Sequence, residues 1–181
     1  LTNWLLPNMG RSGRSRIINT SSVTCKMGKV GDHFFALDPE HYRRFKAYPD
    51  SKLAILMFTT ELARRLQGRA ITVNAVDPGV VNTGMITMHR WYDPLADIFF
   101  RPFIKSPERG AMTAILLATS DRFANVSGGF FKSKRQVGLP QSALDVEACR
   151  KLWSQTEQFV AELVRSKLKK GENRYEQQST T

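Results

Sequence analysis

The sequence contains little of what defines several large classes of protein. Its two cysteines, Cys25 and Cys149, lie far apart and have no cysteine or histidine at metal-ligand spacing, which argues against a zinc site and a disulfide framework. No apolar run approaches the ~18 residues of a membrane-spanning helix, and no charged stretch precedes the first apolar residues as in a secretory signal. We expect a chain that works in a reducing compartment, in the cytoplasm or on the cytoplasmic face of an intracellular membrane.

An initiator methionine is absent as well. The chain begins at Leu1, and Leu1, Trp4 and Leu5 have the spacing of one helix face that ends at Pro7. This pattern is typical of the last turns of a helix. We therefore expect the 181 residues to form part of a longer chain.

Acidic residues are in the minority. The 27 lysines and arginines against 16 aspartates and glutamates give a net charge of +11, which suits a nucleic acid, a phosphorylated cofactor or an acidic membrane surface. The basic residues form short groups that are not interleaved with aromatic residues as in a nucleic-acid-binding module. We therefore expect a solvated basic surface and no nucleic-acid partner, while contact with a membrane surface and a homodimer stay open.

What the sequence does contain is an alternation of strand and helix patterns. Short β-branched or continuous apolar runs alternate with amphipathic segments, which predicts a parallel sheet with right-handed crossovers and an α/β fold. We expect one domain, residues 1–168, followed by a disordered polar tail, residues 169–181. The predicted strands are 16–20, 70–77 and 127–132, and the predicted helices are about 49–66, 107–118 and 144–168.

Tyr48 and Lys52 are the residues of greatest chemical interest. Residues four apart share a helix face, so both side chains can point into one cleft, with Tyr48 expected just before the first turn because Pro49 follows it. A phenol is a poor base at neutral pH, but a close ammonium favours its ionised form. A hydroxyl at the end of the preceding strand, on Ser22, can hold the same oxygen, because parallel sheets bind ligands beyond the carboxyl ends of their strands. Two unrelated surface residues would show the same spacing, so the pair alone does not decide.

In context, the segments resemble the short-chain dehydrogenase/reductase superfamily. "RIINTSS" (16–22) is similar to its fifth strand and active-site serine, "YPDSK" (48–52) to its Tyr-x-x-x-Lys pair, and "VNAVDPGVVNT" (73–83) to its sixth strand and Pro-Gly loop. Further segments, "SKLAILMFTTELARRL", "KSPERGAMTA" and "SGGFF", are most similar to retinol dehydrogenase-like enzymes, including the polyprenol dehydrogenase type and its plant relatives. The resemblance extends over residues 1 to about 165.

This resemblance implies an NADP- or NAD-dependent interconversion of an alcohol and a carbonyl compound. Tyr48 would be the catalytic acid and base, and Lys52 would hold the nicotinamide ribose and favour the phenolate. Ser22, rather than Ser21, would orient the substrate oxygen. The implied cofactor-binding residues are Tyr48, Lys52, Pro78, Gly79, Val81 and Thr83.

The glycine-rich turn with which this superfamily binds the dinucleotide pyrophosphate has no counterpart in the sequence. Gly10 and Gly13 lie in a basic loop before a strand, and Gly28 and Gly31 follow the serines. We therefore expect the C-terminal half of a Rossmann-like doubly wound sheet, with about three strands and flanking helices, without the N-terminal strands, and with its first strand as an open edge. The alternative is an inactive remnant that serves as an interaction module.

The segment 84–105, "GMITMHRWYDPLADIFFRPFIK", is rich in methionine, aromatic and branched residues. The superfamily has its substrate flap at this place, so the resemblance implies a small apolar substrate, such as an isoprenoid, retinoid or steroid-like alcohol or aldehyde. A core helix would have the same composition, because aromatic side chains dominate protein cores. The sequence leaves both interpretations open for Trp91, Phe99, Phe100 and Phe103.

Overall fold

A computed structural model describes residues 1–11, 13–32, 34–35, 40, 42–81 and 105–178 of the chain. The residues outside the described part of the chain include Thr83, Trp91, Phe99, Phe100 and Phe103. Their proposed roles at the cofactor and the substrate therefore stay predictions.

Strands and helices alternate along the chain, and the four strands form one sheet in the order β1-β2-β3-β4. The sheet is mostly parallel with helices beside it, which confirms the predicted α/β class. In chain order the elements are α1 (Thr2–Leu5), β1 (Ser15–Thr20), a 3-10 helix (Val23–Met27), α2 (Arg44–Arg65), β2 (Ile71–Asp77), α3 (Pro107–Thr119), a 3-10 helix (Asp121–Phe123), β3 (Phe130–Lys132), β4 (Arg135–Val137), α4 (Gln141–Leu144) and α5 (Val146–Gln178).

The first three strands run parallel, and the fourth runs back beside the third. The turn between β3 and β4 has positive φ angles at Ser133 (48°) and Lys134 (65°), which matches the tight hairpin turns that suit twisted strands. β4 was not predicted from the sequence. It has only three residues, and the first two are exposed, so it shows neither the length nor the apolar alternation by which strands are recognised.

Helix α2 packs against one face of the sheet. Leu53, Leu56, Met57 and Leu62 recur at helical spacing, and each is at most 1% exposed. They pack in two adjoining clusters with apolar residues of the sheet and of α5. Burying side chains of this size stabilises a fold by about 1.5–3 kcal/mol each, so α2 is firmly fixed relative to the strands.

The start of α2 differs from the prediction. The helix begins at Arg44, so the expectation that Tyr48 would precede its first turn is wrong. Pro49 removes one main-chain donor, which would otherwise bond to the carbonyl of Phe45 four residues earlier. Phe45 is 82% exposed, so water can satisfy that carbonyl. Tyr48 and Lys52 consequently both lie inside α2, one turn apart.

The last helix, α5, continues to Gln178, beyond the point where the sequence suggested disorder. Lysine, glutamate, glutamine and arginine dominate this segment, and all four are good helix formers. The division of the chain at residue 168 stays a prediction.

Neither α5 nor another helix in the described ranges is long and apolar enough to cross a bilayer. Contact with a membrane surface and the formation of a homodimer stay predictions.

Strand β1 lies at one edge of the described sheet, with β2 as its neighbour. Its residues from Ser15 to Asn19 are half-buried, and Thr20 is exposed. Edge strands present unpaired main-chain N–H and C=O groups that can pair with another strand. The open edge expected from the sequence is therefore present in the described part of the fold.

Candidate active site

The carboxyl ends of β1 and β2 lie side by side. In the parallel register Thr20 pairs with Val76, which brings Ser21 and Ser22, directly after β1, next to Asp77 at the end of β2. The main-chain N–H of Ser21 donates to the carbonyl of Val76 at 2.8 Å. Open parallel sheets bind ligands beyond the carboxyl ends of their strands. The predicted site residues that follow β1 and β2 lie at this carboxyl-end edge of the sheet.

The two serines after β1 make different hydrogen bonds. Ser21 is 1% exposed, and its hydroxyl donates to the carbonyl oxygen of Lys52 at 2.8 Å, which ties α2 to the end of β1. The Oγ of Ser22 accepts from the N–H of Thr24 at 3.3 Å and caps the 3-10 helix. A hydroxyl that accepts one hydrogen bond still has a proton to donate. Ser22 is thus better suited than Ser21 to hold a ligand oxygen.

Tyr48 and Lys52 lie on the same face of α2. The Lys52 ammonium is 5.4 Å from the centroid of the Tyr48 ring, within the range of cation–π attraction. The ammonium also donates to the carbonyl oxygen of Thr20 at 3.4 Å, and because it has three donors, it keeps capacity for a ligand hydroxyl. Tyr48 is 39% exposed, so its phenol is accessible to a substrate.

The loop that follows the serines is pressed against α2 at Gly28. A Cβ on Gly28 would lie 2.4 Å from the carbonyl oxygen and 2.8 Å from the carbonyl carbon of Pro49. The next residue strengthens the contact, because the N–H of Lys29 donates to Asp50 Oδ1 at 2.7 Å. Together these contacts fix the distance between the serine loop and the helix that carries the phenol and the ammonium.

We expect Gly28→Ala to destabilise the chain by about 1–3 kcal/mol, because a methyl group at this position has to displace main-chain atoms. Gly31→Ala is the matched control in the same loop, since no heavy atom lies within 4 Å of a Cβ there. Denaturant unfolding of both variants provides the measurement. Equal stabilities of the two variants would contradict the close approach at Gly28.

The turn after β2 is built around Gly79. Its φ of 81° favours glycine, and its N–H donates to Oδ1 of Asp77 at 3.0 Å. Lys105 packs against the turn, because its ammonium donates to the carbonyl of Pro78 at 3.4 Å and its main chain forms a parallel bridge with Val81. The turn that Lys105 supports therefore contains Pro78, Gly79 and Val81, which are predicted cofactor-binding residues.

Cys25 lies close to this edge but does not present a reactive thiol. It is 1% exposed, and burial raises the pKa of the Cys25 thiol, an effect that the nearby charge of Lys26 only partly offsets. Because the thiolate is the nucleophilic form, a buried thiol of this kind is inert. No three His, Cys, Asp or Glu side chains of the described residues are grouped so as to hold a metal ion.

Two charged residues shape this edge and were not singled out from the sequence. Asp77 is 2% exposed, and its Oδ2 lies 3.4 Å from the ammonium of Lys132 at the end of β3. A signal for Asp77 was present, since an acidic residue ends a continuous apolar strand directly before Pro-Gly. Lys132 gave no signal, because its pairing depends on the register between β2 and β3.

A comparison with protein families decides to which family the chain belongs. The family model for short chain dehydrogenases matches residues 1–91, a segment that contains Ser22, Tyr48, Lys52 and the turn 78–81. The chain belongs to the short-chain dehydrogenase family. The resemblance stated from the sequence is thereby confirmed.

Curated relatives show which members of the family this chain resembles. Human retinol dehydrogenase 13 is 38% identical over 166 residues, which cover 88% of this chain and 50% of the relative. Human retinol dehydrogenase 14 is 39% identical over 164 residues, which cover 88% of this chain and 48% of the relative. The similarity to retinol dehydrogenase-like members is confirmed. The chain spans about half the length of these curated relatives.

Solved structures share the fold. An uncharacterised protein from Mycobacterium paratuberculosis superposes with a TM-score of 0.62 and 27% identity, over 87% of this chain and 53% of that chain. The L-sorbose reductase of Gluconobacter frateurii, solved in complex with NADPH and L-sorbose, superposes with a TM-score of 0.54 and 22% identity, over 73% of this chain and 50% of that chain. Both likenesses agree with the Rossmann-like architecture expected from the sequence.

Proposed function

We propose that this chain carries the catalytic centre of an oxidoreductase that interconverts an alcohol and a carbonyl compound with NADP or NAD. One arrangement supports the proposal most strongly: the Lys52 ammonium lies 5.4 Å from the Tyr48 ring and bonds to the carbonyl of Thr20, at the end of β1. A proton-transferring phenol and a cation thus meet at the ligand-binding edge of a short-chain dehydrogenase fold.

In the proposed oxidation, the Tyr48 phenolate takes the hydroxyl proton of the alcohol. Lys52 stabilises the phenolate through its positive charge and holds a ribose hydroxyl of the cofactor. Ser22 donates a hydrogen bond to the substrate oxygen, where negative charge develops. A nicotinamide dinucleotide, when bound, would supply the hydride acceptor for the alcohol carbon and the hydride donor for the reverse reaction. In that reverse direction, the Tyr48 phenol returns its proton to the oxygen.

The residues present fit the nicotinamide end of such a cofactor. Lys52 has donor capacity beyond its bond to Thr20, and the ammonium of Lys105 lies against the Gly79 turn, 3.0 Å from where a Cβ of residue 79 would be. The 181 residues contain no glycine-rich turn for the pyrophosphate. The use of NADP or NAD is supported by the family and by the NADPH bound in the L-sorbose reductase structure.

We further propose an apolar substrate of the isoprenoid, retinoid or steroid-like kind. The names of the relatives, retinol dehydrogenases 13 and 14, support this class. The abundance of methionine and aromatic residues in segment 84–105, of which residues 84–104 lie outside the described residues, suits an apolar ligand. Neither observation selects one compound within the class.

The proposal is tested in an extended chain, in which the part of human retinol dehydrogenase 13 that precedes the matched region is joined before Leu1. We expect this extended chain to oxidise all-trans-retinol in the presence of NADP or NAD, followed by the absorbance of the reduced cofactor. A folded extended chain that binds the cofactor but turns over neither retinol nor a shorter alcohol would contradict the proposed reaction.

Lys52→Ala in the extended chain is expected to weaken cofactor binding and to lower kcat. The ribose would lose a donor, and the Tyr48 phenolate would lose the cation 5.4 Å from its ring. Lys46→Ala is a control on the same helix, because Lys46 is exposed and lies six residues earlier. Unchanged cofactor binding and an unchanged kcat in Lys52→Ala would show that Lys52 is only a surface residue.

A non-catalytic interaction module is the second candidate function. The position of β1 at the edge of the described sheet favours it, because an edge strand can bind an extended segment of a partner. An enzyme requires that the extended chain bind NADPH or NADH and turn over an alcohol, whereas an interaction module requires neither, so these two measurements distinguish the candidates.

A further inference from the structure

Asp77 is a buried charge beneath the Pro78–Gly79 turn. It is 2% exposed, and its Oδ1 accepts the N–H of Gly79 at 3.0 Å. Its Oδ2 has no hydrogen-bond partner in the described part of the chain, but it lies 3.4 Å from the ammonium of Lys132. A buried carboxylate is costly unless an opposite charge compensates it. The ammonium of Lys132 provides this opposite charge for Asp77.

Lys132 is held opposite Asp77 by the fold. The two residues are partners in the parallel register of β2 and β3. The hairpin turn behind Lys132 is anchored on α3, because the N–H of Lys134 donates to the hydroxyl of Thr113 at 3.2 Å, and Thr113 is 5% exposed. The position of the Lys132 main chain therefore depends on the sheet and on a helix, although its side chain is 40% exposed.

We propose that Asp77 and Lys132 form a charge pair that holds the Pro78–Gly79 turn in the shape that receives the nicotinamide end of the cofactor. The inference rests on the proposed function and makes both charged residues positioning residues, since they act through the turn. One carboxylate oxygen orients the Gly79 N–H, and the other is compensated by Lys132. Without the ammonium, the carboxylate is favoured to turn toward water, which releases the Gly79 N–H.

Hydrogen–deuterium exchange of the 181-residue chain tests this arrangement without any cofactor. In Asp77→Ala, we expect the exchange of the Gly79 amide, followed by mass spectrometry in a peptide spanning residues 77–81, to become about tenfold faster, since the loss of one charge-assisted hydrogen bond is of that size. Lys132→Met should give a smaller increase of about threefold, because an exposed ammonium contributes less. The peptide covering residues 71–76 of β2 should keep its protection in both variants.

Three further variants separate the charge pair from other effects. Lys132→Arg should restore the wild-type exchange rate, because it keeps the positive charge. The double variant Asp77→Ala with Lys132→Met should exchange no faster than Asp77→Ala alone, as expected of two coupled residues. Lys151→Met removes the cation of an exposed pair with Asp32 (2.6 Å) and should leave residues 77–81 unchanged. Unchanged exchange in Lys132→Met, or equal losses of protection in residues 71–76, would overturn the proposal.

A second measurement connects the pair to the cofactor. In the extended chain, Lys132→Met should raise the Kd for NADPH or NADH about threefold and change kcat by less than about twofold, because the turn positions the cofactor and takes no part in proton transfer. A faster exchange with an unchanged Kd would overturn the positioning role but not the proposed reaction. If the expected exchange rates and Kd are found but the extended chain lacks turnover, the reaction fails and the positioning role stands.

Discussion

Tyr48→Phe in the extended chain is expected to lower kcat for alcohol oxidation by about 10²–10⁴-fold, because it removes the group that transfers the proton. The change should leave the fold intact. Tyr48 is 39% exposed, so no buried polar partner loses its hydrogen bond, and the ring that contacts the Lys52 ammonium is retained. The rate is measured with a saturating cofactor and both retinol and a short alcohol, so that substrate binding and chemistry are separated.

Tyr42→Phe provides the matched control for this substitution. Tyr42 is 63% exposed and precedes α2, so the loss of its hydroxyl should leave kcat unchanged. A Tyr48→Phe variant with near-normal turnover of both alcohols would contradict the assignment of Tyr48 as the acid and base. A loss of turnover together with a large drop in unfolding temperature would instead assign Tyr48 a structural role.

The features of the fold that depend on local pattern could be predicted from the sequence. The strands β1, β2 and β3 carry apolar and β-branched residues, and α2 has apolar residues at helical spacing. Their order predicts the parallel sheet, because strand and helix alternate. The position of Ser22 directly after β1, and of Tyr48 and Lys52 on the helix tied to the end of that strand, follows from the same order. The predicted roles of these three residues go further than the pattern, because they come from the family resemblance.

The features that depend on contacts distant in sequence could not be predicted. The register of β3 against β2, which pairs Lys132 with Asp77, depends on packing across more than fifty residues. The close approach of Gly28 to Pro49 requires the path of the loop between them. The predicted start of α2 was wrong because local preference alone places a proline at the start of a helix. Burial of the apolar face that follows Pro49 stabilises the longer helix.

The 181-residue chain by itself is expected to bind neither NADPH nor NADH detectably at ligand concentrations up to about 1 mM, which corresponds to a binding free energy weaker than about −4 kcal/mol. The affinity of a dinucleotide depends strongly on its pyrophosphate, which needs main-chain N–H groups at a glycine-rich turn and a helix N-terminus. The sequence offers no such turn, and contacts of Lys52 and Gly79 with the nicotinamide end cannot replace it.

Calorimetric titration of the 181-residue chain and of the extended chain with each cofactor measures this difference. The extended chain should bind one of them with micromolar or better affinity, and the difference of at least about a thousandfold corresponds to about 4 kcal/mol. Lys52→Ala in the extended chain controls for binding at the nicotinamide end, because it should weaken binding without abolishing it. Tight binding by the 181 residues alone would show that they hold a complete cofactor site of another kind.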